Sequence, residues 1–313
     1  MSIPKAYCEE VDAVVEITDA HYIWLERGGA GDLHFRCPHD ECRQNGNPRI
    51  FGVNYKRIMG IDPIHRRPHF RFSKDPHWDG CPWVIFDQAV QEIDADESLP
   101  RVNGLQRSEL ISVFDPTVDG DAADHDWTGL EGVLRGTVAQ ERRQALVRFI
   151  RERLPETCNL EKVVRCFEAM SDEELRDTRL RLAGLSLTYR SAFTFAMFCT
   201  PHHRYNRIYY GRANVRAFRN GYAIRFLARP KLADGTECRL STFITYEALN
   251  AAKRWKLLSL ALKAAADSKQ TLHQCYVYGD VRFRQVDGGD PNQIEIAPGS
   301  LHSVVVTLTE NGA

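Results

Sequence analysis

Long apolar runs are the first thing this 313-residue chain lacks. No stretch approaches the roughly 18 to 20 residues that a membrane-crossing helix needs. The opening MSIPKAYCEEVDAVVEI has neither the basic nor the apolar region of a secretory signal. A cytoplasmic location and no membrane partner are therefore expected. Net charge is also scarce, at −1. The nine cysteines are odd in number, and Cys158, Cys166, Cys199, Cys238 and Cys275 are scattered through apolar or mixed segments. Buried thiols are ordinary in such places, so a disulfide framework is not expected. Several enzyme devices are missing too. Between residues 138 and 198 there is no Gly-rich phosphate loop, no GxSxG elbow and no HExxH pair. The H-x-E and P-C-x-x-C signature of zinc deaminases is absent. The acidic DGDAADHD lacks the spacing of a calcium loop.

What is present is local charge. Residues 87 to 132 hold twelve acids against two bases, whereas 199 to 240 hold nine bases against two acids, and eight of those nine bases are arginines. Arginine pairs bidentately with phosphate and stacks on bases. A neutral sum therefore does not exclude a polyanionic partner if one face is basic.

The chain reads as four regions within an α+β class. Residues 1–92 form a zinc-binding module opened by short strands. Residues 93–137 are an acidic, Gly- and Asp-rich linker or loop without periodicity. Residues 138–200 are a central helical connector, with Ala145, Val147, Phe149, Ile150 and Leu154 on one side of its first helix. Its second helix is opened by a capping box from Ser171 to Glu174. Residues 201–313 carry three strands, a long helix with Thr245 as N-cap, and two or three further strands. That order matches a C-terminal OB-like β-barrel. Gly221 suits the turn of its first hairpin, and Gly211 and Gly279 suit strongly bent strands.

The clearest chemical signal is CPHDEC at 37–42 followed by HWDGC at 77–81. Cys37 and Cys42 make one knuckle, and His77 and Cys81 a second. His69 is an alternative ligand, and His39 and His65 are weaker ones. Three thiolates and one imidazole fill a zinc tetrahedron and leave no open position for a reactive water, so the zinc is read as structural. The knuckle and the following PHFRFSKDPHWDGCPW resemble the zinc-binding N-terminal region of CoiA-like competence proteins and related phage or mobile-element proteins, over about residues 33–83. Cys37, Cys42, His69, His77 and Cys81 match that pattern. Phe72 stands where the family has the second histidine of its HFxH stretch. The resemblance implies a bacterial, DNA-linked context. It also implies a nuclease core, but no E-x-K strand after a suitable acid is found here; Glu295 lies on a strand without the lysine. Nuclease activity is not carried over.

The remaining clue is the alternation of arginines and rings on the expected barrel. Arg204, Arg207, Tyr209, Tyr210, Arg212, Arg216, Arg219, Tyr222 and Arg225, with Tyr278, Arg282 and Arg284 on a later strand, are the candidate nucleic-acid contacts. A cationic groove lined with stacking rings grips single strands. The histidine pair His202 and His203 has no acid or nucleophile at a diagnostic spacing, so no catalytic residue is assigned. The resulting expectation is a zinc-containing protein that binds single-stranded DNA or RNA. The alternatives are a protein-interaction scaffold engaging a protein partner and a cryptic metal-dependent nuclease.

Overall fold

The computed structural model describes residues 3, 5–56, 68–96, 102, 105, 107–116, 144–148, 156–201, 207–251, 256–268, 272–284 and 292–307. The architecture is mixed α and β, built on three sheets. The chain divides into two compact units, Met1–Pro100 with Trp127–Arg153 and Arg101–Asp126 with Leu154–Ala313.

In the first unit, β1 (Lys5–Cys8) and β2 (Ala13–Glu16) form a hairpin, and α1 (Ile17–Glu26) follows directly. Glu16 and Asp19 make a reciprocal capping box at the start of α1. Next come β3 (Phe35–Arg36), α2 (Asp40–Gln44), β4 (Arg49–Val53), β5 (His69–Phe72) and α3 (Pro82–Ala95). The sheet order is β2-β1-β3-β4-β5, and every paired neighbour is antiparallel. Strand alternation puts Ala6, Cys8, Phe35, Ile50 and Phe70 into one core.

The second unit begins with β6 (Val113–Phe114), within the stretch expected to be a solvated linker. Ile111 and Phe114 are buried in the unit's core. A short apolar run is enough to recruit an otherwise acidic segment into a sheet. β7 (Glu156–Thr157) and α4 (Leu160–Ala169) follow, the helix capped by the Asn159 side chain accepting from the Glu161 amide at 2.9 Å. The box at Ser171 and Glu174 forms as expected, but its helix, α5 (Asp172–Asp177), lasts under two turns. RLRL and LSLT then become a hairpin, β8 (Arg179–Leu182) and β9 (Leu185–Thr188), around Ala183 and Gly184, both at positive φ. Leu180 and Leu182 alternate inward with a period of two, which outweighs local helix propensity. In the helical residues 144–148 it is Leu146 that is buried, while Ala145 is exposed. Most of the acidic stretch, and Phe149, Ile150 and Leu154, lie outside the described residues.

After α6 (Tyr189–Ala192) and β10 (Phe193–Phe195), the basic region forms β11 (Ile208–Phe218), β12 (Gly221–Phe226) and β13 (Arg239–Thr245). Thr245 caps α7 (Tyr246–Asn250) by accepting from the Ala248 amide at 3.1 Å. The expected long helix continues as α8 (Lys256–Asp267), and then come β14 (His273–Tyr278), β15 (Asp280–Arg284), β16 (Gln293–Ala297) and β17 (Val304–Thr307). The sheet order is β15-β16-β13-β12-β11-β14-β17, with β10 added beside β11. No closed barrel is found among the described residues. β14 and β17 extend the sheet beyond β11, whereas the β15–β16 hairpin joins the opposite edge by parallel pairing with β13. Gly279 alone separates β14 from β15, so the stretch that follows the helix pairs with β11 at one end and with β16 at the other. Close packing explains two of the glycines. A Cβ on Gly221 would sit 2.1 Å from the Ile244 carbonyl oxygen, and one on Gly279 would sit 2.3 Å from that of Ala297.

One face of this sheet, carrying Tyr209, Ala213, Val215, Ile224, Leu240 and Val277, shares a core with Leu262 and Ala265 of α8. The opposite face is divided. At the start of β11, Ile208 and Tyr210 join Phe114, Phe193, Tyr276 and Tyr278 in a second core. Beyond Tyr210 that face is open.

Candidate metal centre and basic sheet face

Two knuckles are brought together in the first unit. β3 delivers Cys37, whose amide donates to the Pro48 carbonyl at 3.1 Å. The chain turns into α2, which carries Cys42. Arg43 braces this turn by donating from Nη1 to the Cys37 and Pro38 carbonyls at 3.2 and 2.8 Å. The second knuckle follows β5. Asp75 accepts from the Arg49 amide at 2.9 Å, tying the segment after β5 to β4. Cys81 is the N-cap of α3, with Pro82 at the first helical position. A stacked pair, His39 and Trp78, spans the two knuckles with ring centres 5.6 Å apart.

The ligand atoms of Cys37, Cys42, His77 and Cys81 all lie within 4.8 Å of one another. The Cys37 and Cys81 sulfurs are 3.7 Å apart, and Cys42 Sγ is 3.7 Å from His77 Nδ1. A disulfide would need about 2.05 Å. A tetrahedron whose sulfurs stand about 2.3 Å from its centre has edges of about 3.8 Å, which these separations match. His77 Nε2 is buried without a hydrogen-bond partner. A ring flanked by thiols on one side and orphaned on the other suits a cation better than a hydrogen-bond network. These residues could hold a metal ion.

The protonation pattern points the same way. The hydrogen bond to Cys81, then burial, pushes the Cys37 thiol up, while the same bond holds Cys81 down at about 4. Burial raises Cys42 to about 11, opposed by a hydrogen bond from the Trp78 amide. Backbone amides of His39 and Val84 likewise favour thiolate at Cys37 and Cys81. The crowding thus favours a thiolate at Cys81 beside two thiols, a charge that a cation would neutralise. His69 is not in the cluster; it sits on β5 opposite Val53. Phe72 packs its ring edge-on against His77 at 4.7 Å and so helps to position that imidazole.

The arginines and tyrosines expected to share a surface part company. Tyr209, Tyr222 and Tyr278 are buried, and Tyr210 is half-buried between Phe167, Phe193 and Tyr276. Alternation by itself does not say which side is wet, and here the rings face core on both sides of the sheet. Arg212, Arg216, Arg219, Arg225, Arg282 and Arg284 are exposed, and Arg207 is intermediate. Arg204, like His202, His203 and His65, lies outside the described residues.

On the open half of the sheet, strand register gathers Arg212 and Arg216 of β11, Arg225 of β12, Arg239 of β13, and Arg282 and Arg284 of β15. Arg239 and Phe243 join this face although sequence reasoning passed over them; the clue was the alternation of RLSTFIT, in which Leu240, Thr242 and Ile244 are buried. The acids on this face are Asp280 and Glu295, the latter paired in register with Ser241 and Arg282. Among the described residues none of these six arginines forms an ion pair. Arg216 Nε donates to Asn214 Oδ1 at 3.2 Å, and the Arg225 guanidinium lies over the Phe218 ring at 5.2 Å. Partial burial, then the neighbouring Arg216 and Arg239 charges, lowers the Arg225 pKa. Like charges at Arg216, Arg225 and Arg239 are thus held together with no ion pair among the described residues.

Comparison with models of known families, with curated proteins and with solved structures finds no match for this chain.

Proposed function

We propose that this is a nucleic-acid-binding protein whose first unit is stapled by a structural zinc ion and whose second unit grips its ligand with the open half of the eight-stranded sheet. The observation that carries the reading is the set of six arginines held on one face without carboxylate partners among the described residues. Concentrating unneutralised guanidinium groups costs folding free energy, and a polyanion offsets it while releasing its own counterions. The arginine-bearing half of this sheet does the work expected of the groove of an OB-like barrel.

Zinc is the ion that the donor set favours, because three thiolates and an imidazole are its usual structural complement. When bound, it would cross-link β3, α2 and the start of α3. With all four positions supplied by protein, no water is activated, and the residues act by holding the fold. Nine free thiols fit a reducing, cytoplasmic setting.

The test is a fluorescence anisotropy titration with a labelled single-stranded oligonucleotide across a salt series, with metal content measured on the same preparation. The variant carrying both Arg216→Glu and Arg225→Glu is expected to bind at least about tenfold more weakly and to lose about two from the slope of log affinity against log salt. Undetectable binding of the unaltered protein at low salt, or an unchanged slope in the variant, would remove this reading.

A further inference from the structure

The open face does not end at the arginines. Of the large apolar side chains exposed among the described residues, Phe195 is 39% exposed, Met197 50%, Phe198 65%, Phe218 41% and Leu227 61%. Strand alternation and register put Phe195, Phe218 and Leu227 on this half of the sheet. Phe195 pairs in register with Tyr210, the last covered position of the β11 face, and its ring packs against Tyr210 with centres 5.7 Å apart. The Leu227 amide donates to the Arg212 carbonyl at 2.8 Å, which sets Leu227 beside the first open arginine. Gly211, between them in sequence, faces the other way: an added Cβ there would meet Ala196 Cβ at 3.3 Å on the side of the core shared with α8, so the segment after β10 closes that side and leaves Phe195 at the border of the arginine face.

A ledge of this kind is costly in water and uncommon without an occupant. Its position selects the occupant. It adjoins unpaired guanidinium groups, so whatever covers it presents apolar flat surface and anionic charge within a few ångströms of each other. Unpaired nucleobases joined by phosphates do this; a duplex hides its base faces in its own stack. We infer that the ledge of Phe195 and Leu227, with Phe218 farther along β11, seats unpaired bases while Arg212 and its neighbours hold the adjoining phosphates, so that the ligand of the sheet is a single strand. This rests on the nucleic-acid reading above and narrows it.

The experiment compares three probes of equal length on the full-length, metal-loaded protein: a labelled single strand, its duplex, and a single strand of abasic sugar-phosphate. Phe195→Ser and Leu227→Ser are made because both side chains are exposed on this face, and circular dichroism checks that each variant folds. The single strand is expected to bind about tenfold or more tightly than the abasic strand. Each variant is expected to lose most of that difference while keeping its affinity for the abasic strand. Equal affinity for the normal and abasic strands, or variants that bind the single strand as the parent does, overturns the inference and leaves the arginine face standing. Tighter binding of duplex than of single strand also overturns it. Failure of all three probes to bind overturns both readings. Variants that bind the single strand normally but lose self-association would assign the ledge to a second copy of the chain, and the inference would fall.

Discussion

Cysteine serves the two units in opposite ways. In the first, Cys37, Cys42 and Cys81 come from a turn-rich polar stretch, and their sulfurs converge with an imidazole. In the second, Cys166 lies in one core and Cys199, Cys238 and Cys275 in another, where they pack as small apolar side chains. Burial alone pushes the Cys275 thiol well up, so it stays protonated and inert. What separates the two uses is whether the backbone bends to bring thiols together or extends to bury each among hydrocarbon. The first unit sets its four ligand-type atoms beside a small sheet with one apolar core, whereas the second has two apolar cores about an eight-stranded sheet, among the described residues.

The sharpest way to break this contrast is to remove the metal. Chelation, or Cys81→Ser, is expected to unfold the first unit, with a loss on the order of 10 kcal/mol, while the second keeps its protection. Hydrogen exchange read by mass spectrometry on peptides from β3, α2 and α3 against peptides from β11 and β14 checks this. Unchanged protection around α2, or equal loss in both units, would end the distinction.

A smaller effect is expected from Cys275→Ala. It should lower the urea midpoint of the second unit by about 1 kcal/mol of stability, with metal content unchanged. Release of metal by this variant would contradict the separate roles assigned to the two sets of thiols.

The smallest effect concerns acid. His273 is buried, and burial lowers its pKa from the ordinary 6.5. Below that value the unfolded chain takes up a proton that the folded ring resists, so the second unit loses stability as pH falls from about 7 through 6.5 toward the lowered value. The expected signature is a flatter stability-against-pH curve over that range for His273→Gln. An identical slope would show that the ring titrates freely.

The metal cluster was the most legible part of the molecule, because ligand spacing in a polar stretch has few other uses. The hairpin around Gly221 and the Thr245 cap were also readable, since each depends on neighbours in sequence. The fate of Tyr209, Tyr222 and Tyr278 was not. Strand alternation sorts residues into two sets, but which set meets water depends on what packs above and below, and here both faces receive cover over part of their length. The extent of the helix after Ser171 was misread for a related reason: a capping box marks where a helix starts and is silent on how soon it gives way to a strand. The parallel pairing of β16 with β13 was not legible either, because it is a long-range choice that no local pattern encodes.

Strand β11 runs unbroken from the aromatic core at Ile208 and Tyr210 to the bare arginines at Arg212 and Arg216. The arginine-bearing half of the sheet is therefore continuous with a root clamped by rings on one side and by α8 on the other. The strand register that spaces its cations is set when the protein folds, so under the proposed function their backbone positions are fixed before a ligand arrives.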